Sequence, residues 1–293
     1  FGIKQPNAYY SGSSVHNNYQ WICYNNFSLV KFDNKATDSE KEALGNAIAA
    51  ANAKTLGFDN GEYAPYNNVE ALEALAAAKE IAPSTATSIA VVAATNVLTD
   101  ATWTANAGEV NAFGDPLFAN SGNDGAQLGW VTDHANGLGG AYHSRAFVLT
   151  SGMTNYENLA AFGQGDGTRS AGYFRFDNTN SSKTTVYTYG TTAGYTLPLK
   201  ASLYKVTAQV GGWGQVDKDI KLAVVDGEGT EIASQTVKTP TTGVNAGGSV
   251  VDFDFVVNIT SAGNYKIQLT NGSSEDQAVA LSNMEMVKAT SAT

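Results

Sequence analysis

Leu203-Tyr-Lys-Val-Thr-Ala-Gln-Val210 and Val250-Val-Asp-Phe-Asp-Phe-Val-Val257 decide the fold. Both alternate apolar and polar residues, the two-residue period of a strand with one face buried. Similar runs flank them: Arg145-Ala-Phe-Val-Leu-Thr-Ser151, Ala171-Gly-Tyr-Phe-Arg-Phe-Asp177, Thr184-Thr-Val-Tyr-Thr-Tyr189, Ile220-Lys-Leu-Ala-Val-Val225, Glu231 to Val237, Tyr265-Lys-Ile-Gln-Leu269 and Ala278 to Val287. Turn signals such as Asp226-Gly-Glu-Gly229 and Ala262-Gly-Asn264 separate them. Many short strands without helices between them predict an all-β sandwich, or jelly roll, over 113–293.

Upstream, residues 36–112 are rich in alanine and follow a helical period. Thr37-Asp-Ser-Glu40 is a capping box, followed by Leu44, Ile48 and Ala51 on one face. Gly57 and Gly61-Glu-Tyr-Ala-Pro-Tyr-Asn-Asn68 break the helix. Asn67 or Asn68 caps a second helix with Val69, Leu72, Leu75 and Ala76 on one face. Pro83 opens a third, carrying Ile89, Val92 and Val97. Short loops between them predict an antiparallel three-helix bundle with a thin, alanine-lined core that leans on its neighbours.

Residues 1–35 are aromatic and asparagine-rich, with a strand from Trp21 onward. Asn25-Asn-Phe-Ser-Leu-Val-Lys31 echoes Ser282-Asn-Met-Glu-Met-Val-Lys288. Two strands do not stand alone, so this segment reads as the tail of a preceding jelly roll. The opening at Phe1, without Met or signal peptide, reads as a processed or trimmed product.

Composition excludes several functions. The 293 residues carry 17 basic and 27 acidic side chains, a net charge of −10, which repels nucleic acid and anionic lipid. Charged residues reach only 15%, and there are 30 glycines, a balance suited to a β-rich extracytoplasmic protein. Cys23 is the only cysteine, so no intramolecular disulfide or cysteine-based zinc site can form. No apolar run is long enough to span a membrane as a helix. No GxSxG, P-loop or HExxH spacing occurs, and Gly163-Gln-Gly-Asp-Gly167 lacks a strand–helix context.

Trp21-Ile-Cys-Tyr-Asn-Asn-Phe-Ser-Leu29 resembles the closing "W…DNF-x-L" strand of galactose-binding-like jelly rolls in secreted proteins of gut Bacteroidetes. Gly61-Glu-Tyr-Ala-Pro-Tyr-Asn-Asn68 among its helices resembles the FIVAR-type linkers of those proteins. Leu197 to Gly214, Asn264-Tyr-Lys-Ile-Gln-Leu269 and the Ser282-Asn-Met strand resemble a carbohydrate-binding-module-like sandwich. Asn25 and Ser282 stand where Asp is commoner in the family. The resemblance implies a secreted or outer-surface protein that handles polysaccharide or other glycans as a monomeric part of a larger chain, often attached to a hydrolase or lyase. No cofactor is expected beyond structural calcium, for which Asp217, Asp219, Asp226 and Glu228 could supply oxygens, though they lack EF-hand spacing and surface turns are the plainer account.

Candidate ligand contacts are Trp130, Tyr142, Arg145, Tyr173, Arg175 and Trp213. Trp213, between glycines, reads as a stacking platform or as a plug at the sandwich end; Trp130 divides the same way. Trp103 reads as packing between domains. Tyr173 and Arg175 share a strand face, with Phe174 and Phe176 opposite. With Tyr142, His143 and Arg145 they offer guanidinium donors and aromatic planes suited to sugar hydroxyls or a uronate carboxylate; a solvated sheet face with a cation–π contact is the plainer account. Asp252 and Asp254 pair on one face, a spacing open to glycosidase chemistry or to a charged outer face. The leading expectation is a non-catalytic glycan-binding or surface-attachment fragment. The alternatives are a spacer or adhesin-type module that binds none, and a polysaccharide lyase or hydrolase.

Overall fold

The computed structural model describes residues 34–82, 84–114, 129–132, 144–148, 172–178, 186–212, 216–244, 248–270 and 277–289, with 132, 144–148, 172–178, 277 and 278 given by their backbone. The chain divides into two compact units, Phe1–Asn34 and Lys35–Thr293. The proposed strand and jelly-roll tail of 1–35 lie almost wholly outside the described residues, as do Tyr142, Trp213 and Pro83.

Three α-helices come first. α1 (Asp38–Asn52) starts with the expected capping box: the Thr37 side chain accepts from the Glu40 backbone, and Glu40 accepts from the Thr37 N–H at 2.7 Å. Ser88 Oγ donates to the same carboxylate at 2.5 Å and, with the Thr37 bonds, holds its pKa below the usual range. α2 (Val69–Lys79) has Asn68 at its N-cap position, but the Asn68 side chain does not cap. It donates instead to the carbonyls of Ala64 and Thr104 and accepts from Thr104 N–H, tying the helix to the segment after α3.

α3 (Ser88–Asp100) corrects the sequence reading twice. It begins at Ser88, capped by Thr87, several residues beyond Pro83. Its buried residues are Val91 and Leu98, whereas Ile89, Val92 and Val97 are exposed at 55%, 39% and 60%. An apolar-rich helix with small residues all round carries no clear stripe, so the face was misassigned. The helical cluster is Leu44, Leu75, Val91 and Leu98 filled out by alanines.

The strands are β1 (Trp130–Thr132), β2 (Ser144–Val148), β3 (Gly172–Asn178), β4 (Val186–Tyr189), β5 (Leu197–Leu199), β6 (Ser202–Gly212), β7 (Asp219–Val225), β8 (Glu231–Lys238), β9 (Val251–Ile259), β10 (Gly263–Thr270) and β11 (Gln277–Lys288). They form two antiparallel sheets, in the orders β1-β4-β10-β7-β8, with β5 added to β10, and β2-β3-β11-β6-β9. This is the expected β-sandwich behind three helices. Alternation fixes the inner faces: Tyr204, Val206, Ala208 and Val210 of β6 meet Ile220, Leu222 and Val224 of β7 in one core. The Asp226–Thr230 turn is built as read, with Asp226 Oδ1 accepting from the N–H groups of Glu228 and Thr230. β1 and β5 escaped the sequence reading because three-residue strands carry too little alternation to register. Among the described residues, no helix is long and apolar enough to cross a membrane.

A polar seam joins the helices to the sandwich. On the helical side of it, buried Asn106 donates to the carbonyls of Gly57 and Asp59 and accepts from Ala64 N–H. Glu62, also buried, pairs with Lys200 of the sandwich. A Cβ at Gly57 would meet the Glu62 carboxylate, which would have to shift. Asp59 accepts from Lys288 at 2.6 Å and from Lys200 at 3.1 Å. The Lys288 hydrogen bond is the largest influence lowering the Asp59 pKa; Lys288 is raised chiefly by Asp59, and Lys200 chiefly by Glu62.

Candidate functional site

Backbone register places three of the predicted residues, Arg145, Tyr173 and Arg175, on one face of the second sheet. Pairing in register places Arg145 of β2 beside Arg175 of β3, and Phe147 beside Tyr173. Arg175 in turn pairs with Ala280 of β11, and Ala280 with Gly211 of β6. Arg145, Arg175 and Tyr173 therefore belong to one sheet face. Phe174 and Phe176 take register with Leu281 and Val279, which are buried in the core, so they belong to the opposite face, as their alternation predicts.

The next row of this face is polar. Ser282 pairs with Gln209, and Gln209 with Asp252 of β9. Gln209 Nε2 donates to Asp252 Oδ1 at 3.1 Å and its Oε1 accepts from Asn283 at 2.6 Å. Asn283 reaches Gln209 because β11 carries a bulge between Ser282 and Glu285, where Asn283 takes a φ of 50°. Asn tolerates that region better than most residues, and bulges redirect side chains near sites.

The broken ladder at the bulge is repaired from the helical side. Asn111 Nδ2 donates to the Met284 carbonyl, and its Oδ1 accepts from the N–H groups of Met286 and Phe113. The segment leaving α3 thus holds the bulge that presents Asn283. Sequence reasoning missed Gln209, Asn283 and Asn111. Asn283 had a signal in the Ser282-Asn-Met motif, whereas Asn111 had none, because the bulge residues it holds, Met284 and Met286, lie more than 170 residues away.

The loop from β8 to β9 closes over part of this face. Val244 is buried against Gly211, where a Cβ would strike its methyl group, so only glycine lets the loop lie this close. Asp254 pairs with Lys205 at 3.1 Å and its N–H donates to Gln235. Each of the two carboxylates, Asp252 and Asp254, is thus engaged with a neighbouring side chain.

Trp130 lies elsewhere. It has no accessible surface, packing in the sandwich core 5.6 Å from the Tyr189 ring. Of its two readings this is the packing one; the ring is not a stacking platform. Burial likewise pushes the Tyr189 hydroxyl pKa far up. Trp103 is half-buried against the helical cluster and meets Tyr63 edge-on at 5.8 Å. Asp217 and Asp219 flank Lys238, and Asp226 is spent on its own turn. Among the described residues, no group of three or more His, Cys, Asp or Glu side chains is placed to hold a metal ion.

No protein-family model matches the chain, and no curated protein matches it. Solved structures resemble it in part, and carbohydrate-binding modules recur among them. The module CBM61 in complex with β-1,4-galactotriose is 14% identical, with 55% of this chain and 88% of that chain covered and a TM-score of 0.36. The xylan-binding domain CBM22-1 from Paenibacillus barcinonensis is 12% identical, with 56% and 88% covered and a TM-score of 0.34. An arabinose-bound GH51 α-L-arabinofuranosidase is 9% identical with a TM-score of 0.38; 57% of this chain is covered but only 24% of the enzyme, about a quarter of its length.

Proposed function

We propose that the sandwich is a non-catalytic glycan-binding module whose contact surface is the outward face of the β2-β3-β11-β6-β9 sheet. The observation that carries this reading is the register that sets Arg145 beside Arg175, with Tyr173 on the same face and the Asn283–Gln209–Asp252 row across it. Guanidinium groups donate to hydroxyl or carboxylate oxygens in fixed geometry, Tyr173 supplies a ring for the apolar face of a sugar, and the amide row accepts and donates. Tyr142 and Trp213 belong to the same proposal as further contacts. Monovalent binding of this kind is weak, and tandem modules in a longer chain would raise it by avidity. The protein then works outside the cell or on its outer surface, in a secreted chain of the kind gut Bacteroidetes use, with the helices as a FIVAR-type spacer.

Affinity electrophoresis against a panel of plant and host polysaccharides tests the reading. At least one glycan retards the protein, and Tyr173→Ala or Arg175→Ala abolishes that retardation while the thermal melt is kept. A wild-type protein that migrates freely through the whole panel sinks the proposal. A second reading, a structural spacer that binds no glycan, is favoured by the burial of Trp130 and by the seam that fixes the helices to the sandwich. Free migration would support it.

A further inference from the structure

A second concavity lies away from that sheet, where α1 and α2 meet the turn before β5 and the start of β10. It holds about 310 Å3, the size of a small-ligand pocket. Leu72 and Leu75 give it an apolar floor and Trp103 an aromatic wall. The Tyr63 ring is edge-on to Trp103 and carries the Lys54 ammonium 5.1 Å above it, and Lys54 and Trp103 both line the cleft. Lys79, in the last turn of α2, is a second cation on the lining, and Asn52, Thr196 and Asn264 add neutral polar groups. In a chain with 27 acidic and 17 basic residues, this lining has two lysines and no carboxylate. Neither lysine forms an ion pair with a described residue.

We propose that this cleft binds one carboxylate-bearing sugar ring, such as a uronic acid at a glycan end. The lysines take the carboxylate as point charges. The indole takes the CH face of the ring, and the two amides and the hydroxyl match its hydroxyl groups. A flat aromatic acid would leave those three polar side chains unmatched. A long polyanion would meet the repulsion of a protein carrying a net charge of −10, whereas a single terminal acid meets it least. The cleft shares no residue with the sheet face, so the two sites stand or fall separately.

Calorimetry and saturation-transfer NMR on the full chain, with glucuronate, glucose and benzoate as probes, decide the matter. Glucuronate binds saturably, and glucose and benzoate at least about tenfold more weakly, the loss expected for a charge-assisted contact or for unmatched polar groups. Lys54→Gln/Lys79→Gln weakens glucuronate about tenfold or more and leaves glucose unchanged. Ala76→Phe, at an exposed helical position on the lining, fills the cleft and abolishes binding without touching a cation. Arg145→Ala/Arg175→Ala leaves glucuronate binding intact, even where it removes polysaccharide retardation. Absence of saturable glucuronate binding, equal affinity for glucose or benzoate, or indifference to both cleft variants overturns the assignment.

Discussion

The helices and the sandwich hold together by different means. Apart from Leu44, Leu75, Val91 and Leu98, the buried helical cluster is alanine, whereas the sandwich buries Trp130, Tyr187, Tyr189, Phe113, Phe253 and a full complement of Leu, Ile and Val. Buried apolar area drives stability at about 25 cal/mol per Å2, so the sandwich draws more of its stability from burial than the helical cluster does. What the helices lack in apolar area they recover through Phe58 and Ala64, which enter the sandwich core, through Glu62 and Asp59 at the seam, and through Asn106 and Asn68 within the helical side. The sandwich rests on non-directional burial; the helical side combines a thinner apolar cluster with directional bonds that tolerate no missing partner.

The largest effect should come from the sandwich. Phe253 has no accessible surface and faces the opposing sheet. Phe253→Ala should cost about 3–5 kcal/mol, through lost transfer energy and the cavity left behind. Urea unfolding followed by tyrosine and tryptophan fluorescence measures it. A loss below about 1 kcal/mol would mean that the two sheets do not close on one dense core.

Next comes the helical side of the seam. Asn106→Ala strands Ala64 N–H and removes a donor from the carbonyls of Gly57 and Asp59, all in a poorly solvated place. A cost of about 2–3 kcal/mol follows from unsatisfied buried groups. It should be local: hydrogen exchange should rise across 55–68 and 101–112 while β6 and β7 stay protected. Uniform loss of protection would show that helices and sandwich unfold as one.

Much of this was legible beforehand, and the boundary between what was and was not is physical. β6 and β9 declared themselves because alternation is a local signal that burial of one face enforces. Thr37 and Glu40 declared the first helix because a capping box spans only four residues. The outward face was half legible: period two puts Tyr173 and Arg175 together, but only pairing between distant strands brings Arg145 beside Arg175. Asn111, Asn106 and Lys288 were illegible, since their partners are chosen by tertiary contact and a lone Asn or Lys looks like any surface residue. Trp130 was ambiguous for the opposite reason, because a Gly-Trp pair fits a buried plug as well as an exposed platform.

The ion pairs of the seam give a smaller, pH-dependent effect. The Asp59 pKa is depressed, so its contribution is present above the ordinary Asp range, about 4, and disappears as pH falls through the lower folded value. Lys288 and Lys200 are raised, so theirs is present below the ordinary Lys value, about 10.4, and disappears as pH rises through the higher folded value. Between those limits Asp59→Asn should cost about 1 kcal/mol, as expected of a partly exposed network. The gap between wild type and variant should narrow on acidification and again in alkali. Melting curves across the pH range check this, and a gap that stays constant would mean that the charges contribute nothing.

The smallest effect sharpens the comparison from the helical side. Ile89 and Val97 are apolar yet more than half exposed, so their burial contributes little to a cluster already short of large side chains. Ile89→Gln and Val97→Gln should each change stability by no more than about 0.5 kcal/mol, whereas Val91→Ala, on the same helix but with no accessible surface, should lower it measurably. Thermal melts of the three variants distinguish the faces. A Gln variant that destabilises as much as Val91→Ala would mean that the exposed side of α3 is covered in solution.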